Sequence, residues 1–203
     1  ATPAAEPPAS PAAALPIAMA SDAAFHFRYP EASELLLECG LEPQPWSPLA
    51  DEELPAGCRG LILPGGYPEL HAHQLSQSRR SLAAIQRAAQ AGLPIYAECG
   101  GLLLLGQTLS DAEGAEHPMA GLLPFRAQRG ALSLGYRDAT ACSDGLVLRA
   151  GEQYCGHEFH RWQLLAPDPP ANGASAAPVL SSPLWQLEGW GHPRRAEGWS
   201  QPQ

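Results

Sequence analysis

Between Pro16 and Leu105 the chain alternates short apolar runs with stretches of helical periodicity, and this limits the fold more than any other feature. Pro16-Ile17-Ala18-Met19-Ala20 reads as a strand that ends in the polar turn Ser21-Asp22. Glu31 to Gly40 reads as a helix: Leu35, Leu36 and Cys39 share a stripe, which predicts a core position for Cys39, and Gly40 is the stop. Leu41 to Trp46 is a second strand despite Pro43 and Pro45, and Gly60 to Leu63 is a third, ending in Pro64-Gly65-Gly66. Ser78 to Ala91 carries Leu82, Ile85, Ala88 and Ala89 on one helical face and closes at Gly92. Leu93 to Ala97 is the next strand, and a further helix starts at Gly100. Strands and helices alternating at this pace predict an α/β fold with a mostly parallel sheet and helices on both faces.

After Ala120 the pattern changes. Gly121 to Arg126, Ala131 to Thr140, Leu146 to Arg149 and His157 to Leu165 mix apolar and polar residues between turn signals, which predicts antiparallel strands added at the sheet edge. Residues 166–183 read as a loop. Residues 1–15, ATPAAEPPASPAAAL, are almost only Ala and Pro and predict an extended linker ahead of a single domain at 16–203.

Composition removes several function classes. The net charge is −9, and all 12 basic residues are Arg, so a Walker A lysine, a Schiff-base lysine and a lysine nucleophile are excluded within these 203 residues. The acidic balance speaks against nucleic acid as a partner. No apolar run reaches the ~18 residues that span a bilayer and the N-terminus lacks a basic leader, so no membrane partner is expected. Five cysteines without a CxxC pair speak against a disulfide framework and a zinc knuckle, and predict a reducing, cytoplasmic setting. His71-Ala72-His73 has a spacing known from metal sites, but no third ligand is placed by the sequence, so no metal is expected.

Three motifs carry chemistry. Ala97-Glu98-Cys99-Gly100-Gly101 sets a cysteine between a strand and a glycine-rich helix start, the pattern of a nucleophile elbow. There a helix N-terminus would favour the thiolate and the Gly100 N–H would face a developing oxyanion. Pro64-Gly65-Gly66-Tyr67-Pro68-Glu69, at another strand end, could supply a second oxyanion donor from its paired glycines. Gly156-His157-Glu158-Phe159-His160 offers a base for the thiol. Strand alternation puts Glu158 on the same face as His160, where a carboxylate can orient the imidazole. The competing readings are a buried structural cysteine, a plain turn and a strand with solvated histidines.

With Asp22-Ala23-Ala24-Phe25, Tyr29-Pro30 and Gly135-Tyr136-Arg137, these motifs resemble class I glutamine amidotransferase domains. More narrowly, they resemble the C-terminal glutaminase domains of the cobyrinate a,c-diamide synthases of cobalamin biosynthesis. Gly-Gly-Tyr-Pro-Glu-Leu (Gly65–Leu70) and Glu-Cys-Gly-Gly-Leu (Glu98–Leu102) carry the narrower match. The resemblance implies a flavodoxin-like sheet, attack of Cys99 on glutamine, His160 as base, and Gly66 and Gly100 as oxyanion hole, with Glu158 as a candidate orienter. It implies no cofactor in this domain. ATP and Mg²⁺ would serve an N-terminal synthetase domain of the same polypeptide, which takes the ammonia and binds the corrinoid substrate. Three departures stand out. Trp162 occupies the position of the superfamily's triad glutamate, the synthetase half is missing, and a further strand bearing His-x-His would follow Gln203, so a C-terminally truncated domain is expected. The glutaminase domain of cobyric acid synthase, or an inert binding module of the same fold, are the alternatives.

Overall fold

The computed structural model describes residues 14–166, 183–189 and 191–199. Most of the Ala/Pro leader, nearly all of the loop at 166–183, and Trp190 lie outside the described residues. Strand β1 (Leu15–Ala20) is buried from Ile17 to Ala20 because it is paired on both sides. Strands β2 (Leu41–Trp46) and β3 (Leu61–Leu63) flank it in parallel, and β4 (Ile95–Ala97) pairs with β3. The order β2-β1-β3-β4 is the flavodoxin-type arrangement, whose strand ends face one ligand-binding crevice. Pro43 and Pro45 are tolerated because β2 is an edge strand, with no neighbour on its open side to miss their N–H groups.

Helix α1 (Pro30–Glu38) follows β1 but has no buried residue. Its Leu35 and Leu37 are exposed and so is Cys39, so the expected core position for Cys39 is wrong: the helix touches β2 at the sheet edge instead of lying across the sheet. The Pro68–His71 3-10 turn and helix α2 (Ala72–Gln77) were not legible in the sequence. Helix α3 (Arg79–Gln90) buries Ser81, Ala84, Ile85 and Ala88, close to the expected face. Helix α4 (Gly100–Leu105) buries every residue except Leu102, which packs partly against the core.

The antiparallel strands do not extend the parallel sheet. They form a second sheet from β5 (Thr108–Ser110), β6 (Glu116–Pro118), β7 (Arg126–Ala141), β8 (Gln153–Leu165), β9 (Pro183–Gly189) and β10 (His192–Trp199). Its order is β10-β9-β7-β5-β6, with β8 paired to β7 across a register shift between Arg129 and Ser133. The strand expected at Gly121–Arg126 is not formed. Instead the N–H groups of Ala120, Gly121, Leu122 and Leu123 donate to carbonyls of Leu104, Gly106 and Leu105, serving acceptors that the end of α4 leaves open. Nor is Leu146–Arg149 a strand; it lies in a turn closed by Gly145 N–H to Leu148 O at 2.9 Å. One core joins both sheets: Trp46, Leu61, Leu63, Ile85 and Leu104 pack in the same cluster as Leu109, Phe125 and Ala127. Among the described residues no helix is long and apolar enough to cross a membrane.

Leu104→Ala should therefore destabilise the chain by roughly 2–5 kcal/mol in urea unfolding, whereas Leu35→Ala on the uncovered face of α1 should stay within about 0.5 kcal/mol.

Candidate active site

Strand β4 and helix α4 meet at Cys99, which has φ 48° and ψ −115°. A residue other than glycine at positive φ is strained, and here several fixed contacts hold it. Glu98 N–H donates to Leu63 O at 3.1 Å, Gly101 N–H to Glu98 O at 2.9 Å and Leu103 N–H to Cys99 O at 3.2 Å. The glycines that follow are demanded by space. A Cβ on Gly101 would stand 2.0 Å from Leu63 O, and one on Gly100 would meet Pro68 Cδ at 2.8 Å and Gly66 N at 2.9 Å.

The Gly65-Gly66 loop closes over this turn as the order of the motifs predicts. A Cβ on Gly66 would fall 2.0 Å from Ala24 O. Ala24 is itself fixed by Asp22, whose Oδ1 accepts from Ala24 N–H at 2.9 Å and whose Oδ2 accepts from Ser47 Oγ–H and Leu49 N–H. The N–H groups of Gly66 and Gly100 both act on the Cys99 sulfur and favour its thiolate.

The thiol is nevertheless raised above its ordinary value of 9.0. Burial is the largest cause; the Gly100 amide opposes it, the charges of Glu98 and Glu69 add to it, and the Gly66 amide opposes it again. Cys99 is exposed as a residue yet lines a cleft, where surrounding protein replaces much of the water around its thiol. The two amides act in the direction expected at the helix N-terminus, and the net direction is nonetheless upward. Burial and the charges of Glu98 and Glu69 together outweigh the two amides that favour the thiolate.

The cleft has a volume of about 400 Å³. Tyr96, Glu98 and Cys99 line one side, and Leu122, Leu146, Trp185 and Trp199 line the apolar remainder. Tyr96 O–H donates to Glu98 Oε2 at 2.9 Å, and the burial and negative charge there raise the phenol. Trp199 packs on Phe125 with ring centroids 5.1 Å apart, so the C-terminal hairpin forms the far wall.

Neither His160 nor Glu158 lines this cleft. They form a charged cluster on β8, joined to the cleft through Glu197. Glu158 Oε1 accepts from His160 Nε2 at 2.7 Å and from Arg195 at 2.6 Å, while Oε2 accepts from Arg137 Nε at 2.6 Å. Arg195 also donates to Glu197 at 3.0 Å. The shared-face reading of Glu158 and His160 is therefore realised in space. Burial alone would raise the Glu158 carboxyl, but hydrogen bonds from Arg195, His160 and Ser133, with the Arg195 charge, bring it down to about 2.

His160 Nδ1 lies 2.8 Å from Trp162 O and Nε2 2.7 Å from Glu158 Oε1, so both ring nitrogens face acceptors and neither bonds Cys99. A neutral imidazole has one N–H and serves only one of them; serving both takes the doubly protonated ring. Arg137 and Arg195 carry this cluster, yet the sequence reading gave neither a role here. His71 ends the 3-10 turn, and His73 packs edge-on against His117 at 5.7 Å. Among the described residues no group of three His, Cys, Asp or Glu could hold a metal ion.

Two measurements check these electrostatics. Alkylation of Cys99 by iodoacetamide, followed by peptide mass spectrometry, should reach its midpoint above pH 9.0, and Glu98→Gln should move that midpoint down. The ion-pair contribution of Glu158 is fully present above its unfolded value of 4.5 and is lost as pH falls through its folded value of about 2. Acid unfolding of wild type should therefore show a loss of stability in that window that Glu158→Gln lacks.

Residues 16–172 match the model of the CobB/CobQ-like glutamine amidotransferase domain. The cobyrinate a,c-diamide synthase of Synechococcus sp. is 43% identical over 190 residues, covering 93% of this chain and 39% of that protein. The hydrogenobyrinate a,c-diamide synthase of Streptomyces coelicolor is 42% identical, covering 86% of this chain and 34% of that protein. The chain thus spans well under half the length of these relatives. Among solved structures, PurLQS from Thermotoga maritima superposes with a TM-score of 0.60 at 16% identity, over 92% of this chain and 78% of that one, a likeness of fold. On the family match and these identities, the chain belongs to the CobB/CobQ-like glutamine amidotransferase domain family.

Proposed function

We propose that this chain is the glutaminase part of an enzyme that amidates the a and c carboxylates of cobyrinic acid. The observation that carries the reading is the strained Cys99 held against the amides of Gly66 and Gly100 at the end of a parallel sheet. In this reading the Cys99 sulfur attacks the side-chain carbonyl carbon of glutamine. The C–N bond breaks, the thiol proton leaves with the nitrogen as ammonia, and a γ-glutamyl thioester remains. Water then cleaves the thioester to glutamate and restores the thiol. The Gly66 and Gly100 N–H groups would hold the oxyanion of both tetrahedral intermediates.

His160 is the proposed base. To act on Cys99 it must exchange its Glu158 or Trp162 partner for the thiol, a rearrangement consistent with catalytic hydrogen bonds that tighten only on substrate binding. Glu158, fixed by two arginines, would orient the ring through that exchange.

The corrinoid assignment rests on the names of the relatives, which include both cobyrinate and hydrogenobyrinate synthases. The ammonia would pass to a synthetase region beyond this chain, and ATP with Mg²⁺ would activate the carboxylates there. The linker reading of residues 1–15 fits such a joint, and the family match begins at residue 16.

The glutamine analogue 6-diazo-5-oxo-norleucine should add covalently to Cys99 of the wild type and leave Cys99→Ala unlabelled. In the full-length enzyme, Cys99→Ala should abolish glutamine-driven amidation and spare amidation driven by free ammonia. Glutamine-driven turnover that survives the substitution would sink the mechanism.

A further inference from the structure

The Asp22 carboxylate has no task in the proposed chemistry, yet it holds the main chain that stands behind one of the two amides at Cys99. Asp22 follows the end of β1, where Ser21 N–H donates to Trp46 O at 2.8 Å. Its Oδ1 accepts from Ala24 N–H at 2.9 Å, which closes a tight turn. Its Oδ2 accepts from Ser47 Oγ–H at 3.0 Å and from Leu49 N–H at 2.9 Å. The turn that carries these two donors is fixed in its own right: Ser47 Oγ accepts from Ala50 N–H at 3.1 Å, and Gln74 Nε2 donates to Leu49 O at 3.0 Å. Two carboxylate oxygens thus serve three donors on two sides, which the single oxygen of an asparagine amide does not match.

The Ala24–Phe25 peptide, formed by two fully buried residues, stands directly against Gly66. A Cβ on Gly66 would lie 2.0 Å from Ala24 O, 2.8 Å from Ala24 C and 3.0 Å from Phe25 Cα. Gly66 N in turn lies 2.9 Å from the place of a Cβ on Gly100. The preceding residue is tied to the same segment, since Gly65 O accepts from Phe27 N–H at 3.1 Å. The Gly66 amide is therefore packed between the Asp22 turn and the Cys99 elbow, and a shift of Ala24 passes to it directly.

We propose that Asp22 is the positioning residue of the oxyanion hole: by fixing Ala24 it sets the distance between the Gly66 amide and the Cys99 thiol. The chemistry of this role rests on the glutaminase reading above, and its geometry rests on the contacts of Asp22. Without the carboxylate, Ala24 N–H and Leu49 N–H lose their acceptor, the turn relaxes, and the Gly66 donor moves away from where the oxyanion forms. A donor aimed at that place acts mainly in the transition state, so its displacement lowers kcat and spares KM.

Asp22→Ala tests this in the full-length enzyme. Glutamate release at saturating glutamine should fall about tenfold to a hundredfold, with KM for glutamine within about threefold. Alkylation of Cys99 by iodoacetamide gives a second readout, in the 203-residue chain. The Gly66 amide favours the thiolate, so its withdrawal should move the alkylation midpoint to higher pH. A through-space effect of losing the Asp22 charge would move it to lower pH. Ile85→Ala, which opens the core beneath α3, should lower stability and leave both readouts unchanged. An unmoved or lowered midpoint, a raised KM with kcat retained, or the same changes in Ile85→Ala would overturn the proposal. Should Asp22→Ala fail to fold, Asp22→Asn, with one acceptor oxygen for three donors, should still raise the midpoint, and an unmoved midpoint refutes the role. A wild-type enzyme that releases no glutamate would refute the glutaminase reading instead, and the midpoint alone then decides whether Asp22 places the amide.

Discussion

The carbonyl of Ala24 occupies the place where a side chain on Gly66 would begin, and the carbonyl of Leu63 does the same for Gly101. The site depends on these two approaches of backbone to backbone. They let the ends of β1, β3 and β4 converge until the amides of Gly66 and Gly100 reach one sulfur. Any side chain at either glycine would separate the loops by more than a hydrogen bond tolerates. Asp22, at the first strand end, holds Ala24 in place and links this convergence to Ser47 and Leu49 beyond β2. The parallel sheet thus surrounds Cys99 with main chain, and side chains serve mostly to keep that main chain still.

The second sheet contributes charge. Glu158 gathers Arg137, Arg195 and His160 from three strands, so the carboxylate ties β7, β8 and β10 together. The planar guanidinium fork suits this task, because each arginine reaches a further acceptor while it holds Glu158: Tyr136 O for Arg137, and Glu197 for Arg195. Removing Glu158 would leave the buried Arg137 without its carboxylate partner. Because Glu197 also lines the cleft, the cluster reaches the wall of the cavity that holds Cys99.

Much of the parallel half was legible in sequence because its signals are local. Apolar runs ending at Asp22, at Gly65-Gly66 and at Cys99 mark strand ends, and the two glycine pairs mark where backbone must come close. The strands after Ala120 were seen as antiparallel but assigned to the wrong sheet, since pairing partners far apart in sequence leave no periodic trace. Gly121 to Leu123 looked like a strand and instead caps α4, a role that depends on which carbonyls stand open nearby. Cys39 obeyed helical spacing on a helix that the fold leaves uncovered. Asp22 was quoted within its motif and given no task, because its contacts with Ser47 and Leu49 are visible only in three dimensions. The raised thiol had the same origin: Glu98 stands in the elbow motif itself, but the burial that raises the thiol most shows only in three dimensions.

The backbone at residue 99 would rest most easily on glycine, the one residue for which φ 48° with ψ −115° carries little steric cost. Pressure for stability alone would favour losing the side chain there, and the flanking Gly100 and Gly101 would accept that change without moving. On the proposed glutaminase reading, a cysteine at this point is stability surrendered for reactivity, and the chain's thermodynamic optimum and its chemical usefulness diverge at a single torsion angle.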